Sequence, residues 1–413
     1  MSAFGVDAPA EARALHVVRA AAVVTAAGAV SSPPLAGVGS VLMLMAYAFV
    51  PGAWLRLQRV LAQPLGLGWL ALTAALCVAA IVGSVAGSPA AAGKALLDWR
   101  HFLLLPVALA VFDTALSRRR FALALVAIAL IGAVAALVAT LVGYSRNDMF
   151  PGIVLRNPVT QALTFSIGAL LAGLLAVTQR ASPRWARAVL AVAALLLVAQ
   201  LVFMQTGRSG FVALLVAAAV TPLFLLRGRA LAVAIVVVPL IGTAAVSASG
   251  NLQQRFGTAI SEMRNAANLP EYTSMGIRMI IWQTSAELIE DRPVLGYGLG
   301  GFPSAYEQRI QQKHRDGWKA LPTADPHNQY LFLWAEAGLL GLAGFAAFLL
   351  GALRQPGERV LRAGALGLLA AWCVNSLFSS HFQTFNEGHL IVLLLGAFLA
   401  SAPPEATSAA QTG

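Results

Sequence analysis

Stretches of about twenty consecutive apolar residues recur along this 413-residue chain, and no other feature limits its fold as tightly. A helix needs about 20 such residues to cross the hydrocarbon core of a bilayer. The runs cover 14–30, 37–54, 66–86, 99–116, 121–143, 158–178, 187–204, 209–226, 230–248, 326–353, 360–379 and 388–402. They are continuous rather than alternating, which predicts helices and not the strands of a membrane barrel. The first run carries His16 and Arg19 near its start, follows a polar N-terminus and has no clear cleavage site after it. It reads as a span rather than a signal peptide. The expected fold class is therefore an all-α polytopic membrane protein with about twelve transmembrane helices. A hydrophobic share of 59%, a charged share of 11% and a mean hydropathy of +0.76 are those of a membrane chain.

The net charge of +11 could suggest nucleic acid, but the basic residues are sorted by loop. Arg56 and Arg59, Arg118 to Arg120, Arg180, Arg184 and Arg187, Arg227 and Arg229, and Arg354, Arg359 and Arg362 all fall in alternate short loops. The short loops between them hold only Lys94, Arg100, Arg146, Arg156 and Arg208. By the positive-inside rule the first set is cytoplasmic, and so are both termini. The basic balance is a topology signal, and no nucleic-acid partner is expected; the bilayer is the expected surrounding. Cys77 and Cys373 lie within apolar runs and read neither as a disulfide nor as metal ligands.

One membrane domain without repeats is expected. Residues 1–248 hold the first nine spans, 249–325 form one large extracytoplasmic loop, 326–402 hold the last three spans, and 403–413 form a disordered cytoplasmic tail. The loop contains eight of the 28 Lys and Arg residues, which places basic charge where an anionic substrate could meet it. Long translocated segments are exempt from the positive-inside rule, so the topology stands. Thr273–Glu290 reads as an amphipathic helix on the membrane face, ended by Asp291-Arg292-Pro293. The glycines of Gly296-Tyr297-Gly298-Leu299-Gly300-Gly301 follow without the strand and helix that a phosphate loop needs, so close backbone packing is the better reading.

Several residues could carry chemistry at the extracytoplasmic face. Asp325-Pro326-His327-Asn328 opens the tenth span, with Asp325 as the expected N-cap, Pro326 as the first helical residue and His327 in the first turn. There His327 could act as a general base, or simply satisfy a hydrogen bond at the interface. Asn328 beside it is a candidate substrate contact. Arg208 stands in the short turn Gln205-Thr206-Gly207-Arg208-Ser209-Gly210, where a guanidinium at a helix N-terminus suits phosphate; the alternative is an arginine snorkelling to headgroups. Arg278 and Trp282 share one face of the loop helix, either as an anion site or as a solvated arginine beside an interfacial anchor. Arg146 and Arg156 could add charge to an anion site, while Arg100 beside Asp98 and His101 reads as a local ion pair. Glu336 and Asn375 are expected to face the bundle interior. The outward acids are scattered, so no metal and no other cofactor is expected.

His327-Asn328, nine residues, then Gly338-Leu339-Leu340-Gly341 resembles the signature of the O-antigen ligase and polymerase superfamily of bacteria. The Arg208 turn, the Gly276-Ile277-Arg278 helix with Trp282, and the stretch through Pro293, Gly298 and Phe302 occur in that family's order, with one large loop between the ninth and tenth spans. The resemblance implies a GT-C-like glycosyltransferase of the Gram-negative inner membrane. Its expected partners are an undecaprenyl-diphosphate-linked glycan as donor and lipid A-core as acceptor, joined at the periplasmic face in a metal-independent, inverting displacement. Carried over by position, His327 activates the acceptor hydroxyl while Arg208 and Arg278 hold the diphosphate; Arg146, Arg156, Asn328 and Trp282 are the supporting candidates. Some relatives have an acid in the last outer loop, where Ser376–Gly388 offers only His381 and Glu387.

An O-antigen polymerase or a protein O-oligosaccharyltransferase would share these residues and differ in acceptor. A lipid-linked glycan transporter would instead place polar groups and broken helices near the midplane, often in repeated halves. Here the candidates gather at one face.

Overall fold

The computed structural model describes residues 8–144, 146, 151–204, 207–266 and 272–401. The expected tail at 403–413 lies outside the described residues, as do Gln205 and Thr206 of the Arg208 turn. Among the described residues every regular element is helical. The first part runs α1 (Ala8–Ser31), α2 (Pro33–Ala48), α3 (Ala53–Leu61), α4 (Pro64–Ala86), α5 (Pro89–Asp98), α6 (Leu104–Val111), α7 (Ala115–Leu141), α8 (Pro158–Thr178), α9 (Arg184–Ala199), α10 (Arg208–Leu225) and α11 (Gly228–Ala248). The large loop contributes α12 (Gly250–Ala266), α13 (Ser274–Asp291) and α14 (Phe302–Lys313), and the chain returns through α15 (Gln329–Arg354), α16 (Arg359–Asn375) and α17 (Phe385–Phe398). Prolines begin α2, α4, α5 and α8, where the missing N–H costs nothing.

Among the described residues eight helices are long and apolar enough to span a membrane: α1, α4, α7, α8, α9 with its continuation to Met204, α10, α11 and α15. The run expected at 37–54 is a pair, α2 and α3, bent by 109°, and would make a ninth. The runs expected at 99–116, 360–379 and 388–402 form shorter helices, of which α17 has 14 residues and α16 has 17. Two of these helices are wholly or almost wholly buried. Every residue of α6 is buried, as is every residue from Asn386 to Phe398 of α17, because α1, α6, α7 and α16 surround α17. An apolar run marks a helix hidden from water, and a protein core hides it as well as lipid does. At the other extreme only Gly242 of α11 is buried, and its Val233, Ile235, Leu240 and Ile241 point outward, as lipid-facing residues do.

The loop arginines gather at the bundle end where α6 and α17 terminate. Buried Arg118 donates to the carbonyls of Phe112 and Ala400, both at 3.1 Å, and so satisfies both helix ends. Arg19 and Arg56 share Asp113, and Arg56 also pairs with Glu11.

At the opposite end the large loop is fastened to α15. Gly338 breaks that helix with φ +62° and ψ −161°. The break is filled by the segment around Pro293–Gly301: Leu339 N–H donates to the Pro293 carbonyl at 3.0 Å and Tyr297 N–H to the Ala335 carbonyl at 2.8 Å. Gly300 N–H donates to Glu336 at 2.9 Å, and Leu299 N–H reaches the Ala79 carbonyl of α4 at 2.9 Å. Glu336 thus faces inward as expected, and the glycine turn is a packing device as expected. A Cβ on Gly338 would stand 2.1 Å from the Val294 carbonyl oxygen, and one on Gly298 2.1 Å from the Gly83 nitrogen.

Both strain and collision therefore oppose Gly338→Ala, which should destabilise the protein by about 2 kcal/mol or more. A thermal melt in detergent should show a clearly lowered midpoint for Gly338→Ala and an unchanged or slightly raised one for Gly93→Ala, a helical site where a Cβ meets nothing within 4 Å.

Candidate active site

The first turn of α15 is built differently from the expectation. Asn328, not Asp325, is the N-cap: its side-chain oxygen accepts the N–H groups of Tyr330 (3.0 Å) and Leu331 (3.1 Å). His327 therefore precedes the helix instead of lying in its first turn. Its φ of +53° makes it the one non-glycine residue with positive φ among the described residues. Asp325 takes another role. Its Oδ1 accepts the His327 N–H at 2.7 Å and the Ser380 hydroxyl at 2.7 Å, while the Thr323 hydroxyl donates to its carbonyl at 2.9 Å. A side chain that accepts the N–H two residues on closes an Asx-turn, and this turn holds His327 in a backbone conformation that costs about 1–3 kcal/mol. Such outliers concentrate at functional sites.

Two further elements lock the turn. Trp282 on α13 donates from Nε1 to the Pro326 carbonyl at 3.0 Å and meets Phe378 with ring centroids 6.0 Å apart. Gln329, fully buried, ties its N–H to the Ser376 carbonyl at 2.9 Å and accepts the Phe382 N–H at 3.0 Å. Trp282 is thus a support for the histidine turn. The helix that carries it is packed against α14 and α15: Ile281, Leu288 and Ile289 meet Phe302, Tyr306, Ile310 and Phe332 in a small core of their own.

One turn before Trp282, Arg278 is held by a 2.6 Å hydrogen bond to the Ser274 hydroxyl, and its Nε is buried with no partner among the described residues. Burial lowers the Arg278 guanidinium from its ordinary value, nearby Arg208 lowers it further, and Glu262 and Asp325 act in the opposite direction. Arg208, the first residue of α10, donates to the Arg255 carbonyl at 3.0 Å. Two guanidinium groups from α10 and α13 therefore share one electrostatic neighbourhood with the Asp325–His327 turn. Like charges brought together and partly buried raise the affinity for an anion.

Arg146 and Arg156 stand at the end of α1. Arg146 is exposed and donates from Nη1 to the Ser31 carbonyl at 3.0 Å, and the Arg156 N–H donates to the Val30 carbonyl at 2.9 Å. Arg156 is exposed near the start of α8, whose Pro158 carbonyl lies 3.8 Å from where a Cβ on Gly207 would be, beside Arg208. Arg100 forms no ion pair with Asp98; its guanidinium lies 5.1 Å from the centre of the Phe385 ring, while buried His101 bonds to the Phe382 carbonyl at 2.8 Å. Among the described residues no three His, Cys, Asp or Glu side chains form a metal-ligand set.

The connection from α16 to α17 and the first turn of α17 supply groups that sequence alone left unassigned. Glu387 is buried and accepts the Thr160 hydroxyl at 2.6 Å. His381 is buried too, between the influences of Glu387 and Asp325. A carboxylate at the start of an apolar helix was the available signal for Glu387. The Ser380–Asp325 bond joins residues 55 apart and left no sequence trace.

Residues 193–346 match the family model described as O-antigen ligase. Over 154 residues the chain is 25% identical to an uncharacterised protein of Haemophilus influenzae, a match covering 35% of this chain and 37% of that protein. Over 78 residues it is 35% identical to a Salmonella typhimurium protein named O-antigen ligase, covering 18% of this chain and 19% of that one. The chain thus spans well under half the length of either relative. The resemblance to the O-antigen ligase family is borne out for a segment that contains Arg208, Arg278, Trp282, His327 and Asn328.

Two measurements check the geometry. Asp325→Ala releases the His327 N–H and should lower whatever activity depends on that turn by about 10–100-fold at normal expression, the loss of two hydrogen bonds to a charged group. Burial lowers the His381 pKa from 6.5, with Glu387 and Asp325 resisting. Above about pH 6.5 His381 is neutral in folded and unfolded chains alike. As pH falls, the unfolded chain takes up a proton that the folded one resists, so stability drops. Thermal melts between about pH 7 and about pH 5 should therefore show a steeper loss in the wild type than in His381→Gln.

Proposed function

From that family match, we propose that the chain is a metal-independent, inverting glycosyltransferase of the GT-C kind in the Gram-negative inner membrane. It transfers a polysaccharide from undecaprenyl diphosphate to a sugar hydroxyl of lipid A-core at the periplasmic face. The reading is supported by the electrostatic influence of Arg208 and Asp325 on the partly buried Arg278, together with the strained His327 turn that Asp325 closes, at the bundle end opposite the arginine-rich loops. By the positive-inside rule that end is periplasmic and both termini are cytoplasmic.

In this reading the donor's diphosphate lies against Arg208 and Arg278, with the Arg278 Nε, which has no partner among the described residues, as one donor. His327 takes the proton of the acceptor hydroxyl while its oxygen attacks the anomeric carbon. The bond from that carbon to the phosphate oxygen breaks, and the electron pair leaves with undecaprenyl diphosphate. The arginines stabilise the charge that gathers on the leaving group, a contribution of about 3–4 kcal/mol per well-placed donor in comparable sites. Asn328 is committed to capping α15 through its oxygen, which leaves its NH2 to a substrate. Arg146 and Arg156 supply longer-range attraction for an anionic glycan carrier.

The test is transfer by purified protein in detergent and EDTA, with undecaprenyl-diphosphate-linked glycan and lipid A-core, products being separated by gel mobility. A shifted lipid A band is expected, reduced at least about 100-fold in His327→Ala, Arg208→Ala and Arg278→Ala. Lengthening of the lipid-linked glycan instead would make it a polymerase. Full activity in any one variant would remove that residue's assigned role.

A further inference from the structure

A cleft of about 180 Å³ opens beside His327, between α13 and the returning segment that leads to α15. Its walls are unlike the arginine side of the site. Trp318 and Tyr272 meet with ring centroids 5.6 Å apart, Ile281 is among the apolar residues of the floor, and Thr323 and His327 border it. Lys319 lies over the Trp318 ring, 5.6 Å from its centre. None of the lining side chains is a carboxylate, and neither Arg208 nor Arg278 is among them.

A sugar ring has a C–H face that is apolar and a rim of hydroxyls that is not. An aromatic platform with polar groups at its edge matches both at once. The cleft falls below the about 300–1,000 Å³ of pockets for drug-sized ligands, so it suits one sugar ring and not a longer chain. The position decides which sugar. In an inverting displacement the attacking hydroxyl and the departing diphosphate stand on opposite sides of the anomeric carbon. The base must therefore face the acceptor, and the groups holding the diphosphate must stand elsewhere. His327 lines this cleft and the arginines do not.

We propose that the Trp318–Tyr272 cleft seats the acceptor's terminal sugar and that Lys319 selects an acceptor bearing a phosphate near that ring. This rests on the glycosyltransferase reading above. The ammonium of Lys319 has no carboxylate partner among the described residues, and a cation held over an indole face keeps a defined position. It would meet a phosphate as a point charge rather than as a bidentate fork.

The test uses full-length protein in detergent and two probes: the saccharide released from lipid A-core by mild acid with its phosphates, and the same saccharide after phosphatase. Affinities are read by calorimetry, alongside undecaprenyl diphosphate binding and transfer activity in the same preparation. Wild type is expected to bind both saccharides, the phosphorylated one several-fold more tightly. Trp318→Ala should weaken both by about tenfold, whereas Trp318→Phe keeps most of the affinity. Lys319→Ala should abolish the preference for phosphate while leaving the dephosphorylated saccharide unchanged. Undecaprenyl diphosphate binding should be the same in all of them. Unchanged saccharide affinity in Trp318→Ala, or no saccharide binding by wild type, would overturn the proposal. If wild-type transfer is intact when that happens, the cleft assignment alone has failed. Trp318-dependent binding in a protein that transfers nothing would support the cleft and sink the ligase reading instead.

Discussion

The geometry of this molecule depends on how the backbone of α15 is satisfied where it breaks. Inside a bilayer an unpaired N–H or carbonyl costs several kcal/mol, so a helix can be interrupted only where protein covers the interruption. At Gly338 that cover is the Pro293–Gly301 segment, whose own N–H groups and carbonyls complete those of α15 and α4. The large loop is thus tied into the bundle through its main chain. Since α13 ends at Asp291, just before this segment, the tie also sets where Arg278 and Trp282 stand relative to the start of α15. A site assembled from a loop helix and a membrane helix needs such a tie, because a guanidinium misplaced by about 1 Å loses much of its effect.

The two ends of the bundle use arginine in opposite ways. At one end Arg118, Arg19 and Arg56 have their charge answered by carbonyls and carboxylates, and they hold helix termini together. At the other end Arg208 disfavours the charge of Arg278, whose Nε is buried with no partner among the described residues. Clustering like charges costs stability, a cost that the anion of the proposed reaction would offset on binding. The strained turn at His327 has the same character: Asp325, Ser380 and Trp282 all contribute to a backbone conformation that an ordinary helix start would not need.

What could be read from sequence follows from what is local. Apolar runs and the inward-facing Glu336 are set by neighbouring residues and by solvent, so the all-helical membrane architecture was legible. Span length was less so, because α6 and α17 are hidden by protein rather than lipid and apolarity does not tell the two apart. The cap of α15 was misjudged since both Asp325 and Asn328 favour that position. The choice was made by the Asx-turn, which commits Asp325 to the His327 N–H and to Ser380 on another segment. The gathering of Arg208 and Arg278 was expected only through the family resemblance, for nothing local to α10 or α13 announces it. Glu387 and His381 became meaningful only once the start of α17 was seen to set Glu387 on Thr160, and the connection before it to bring His381 under the influence of Asp325.

The account stands or falls on where the anionic head of the donor lies. A cryo-EM map of the protein in nanodiscs with undecaprenyl diphosphate would settle it directly. The account predicts the diphosphate between Arg208 and Arg278, with guanidinium nitrogens about 2.7–2.9 Å from its oxygens, and with His327 and its cleft left open on the other side. A diphosphate bound at the opposite end of the bundle, among Arg19, Arg56 and Arg120, or buried midway along the helices, would contradict it.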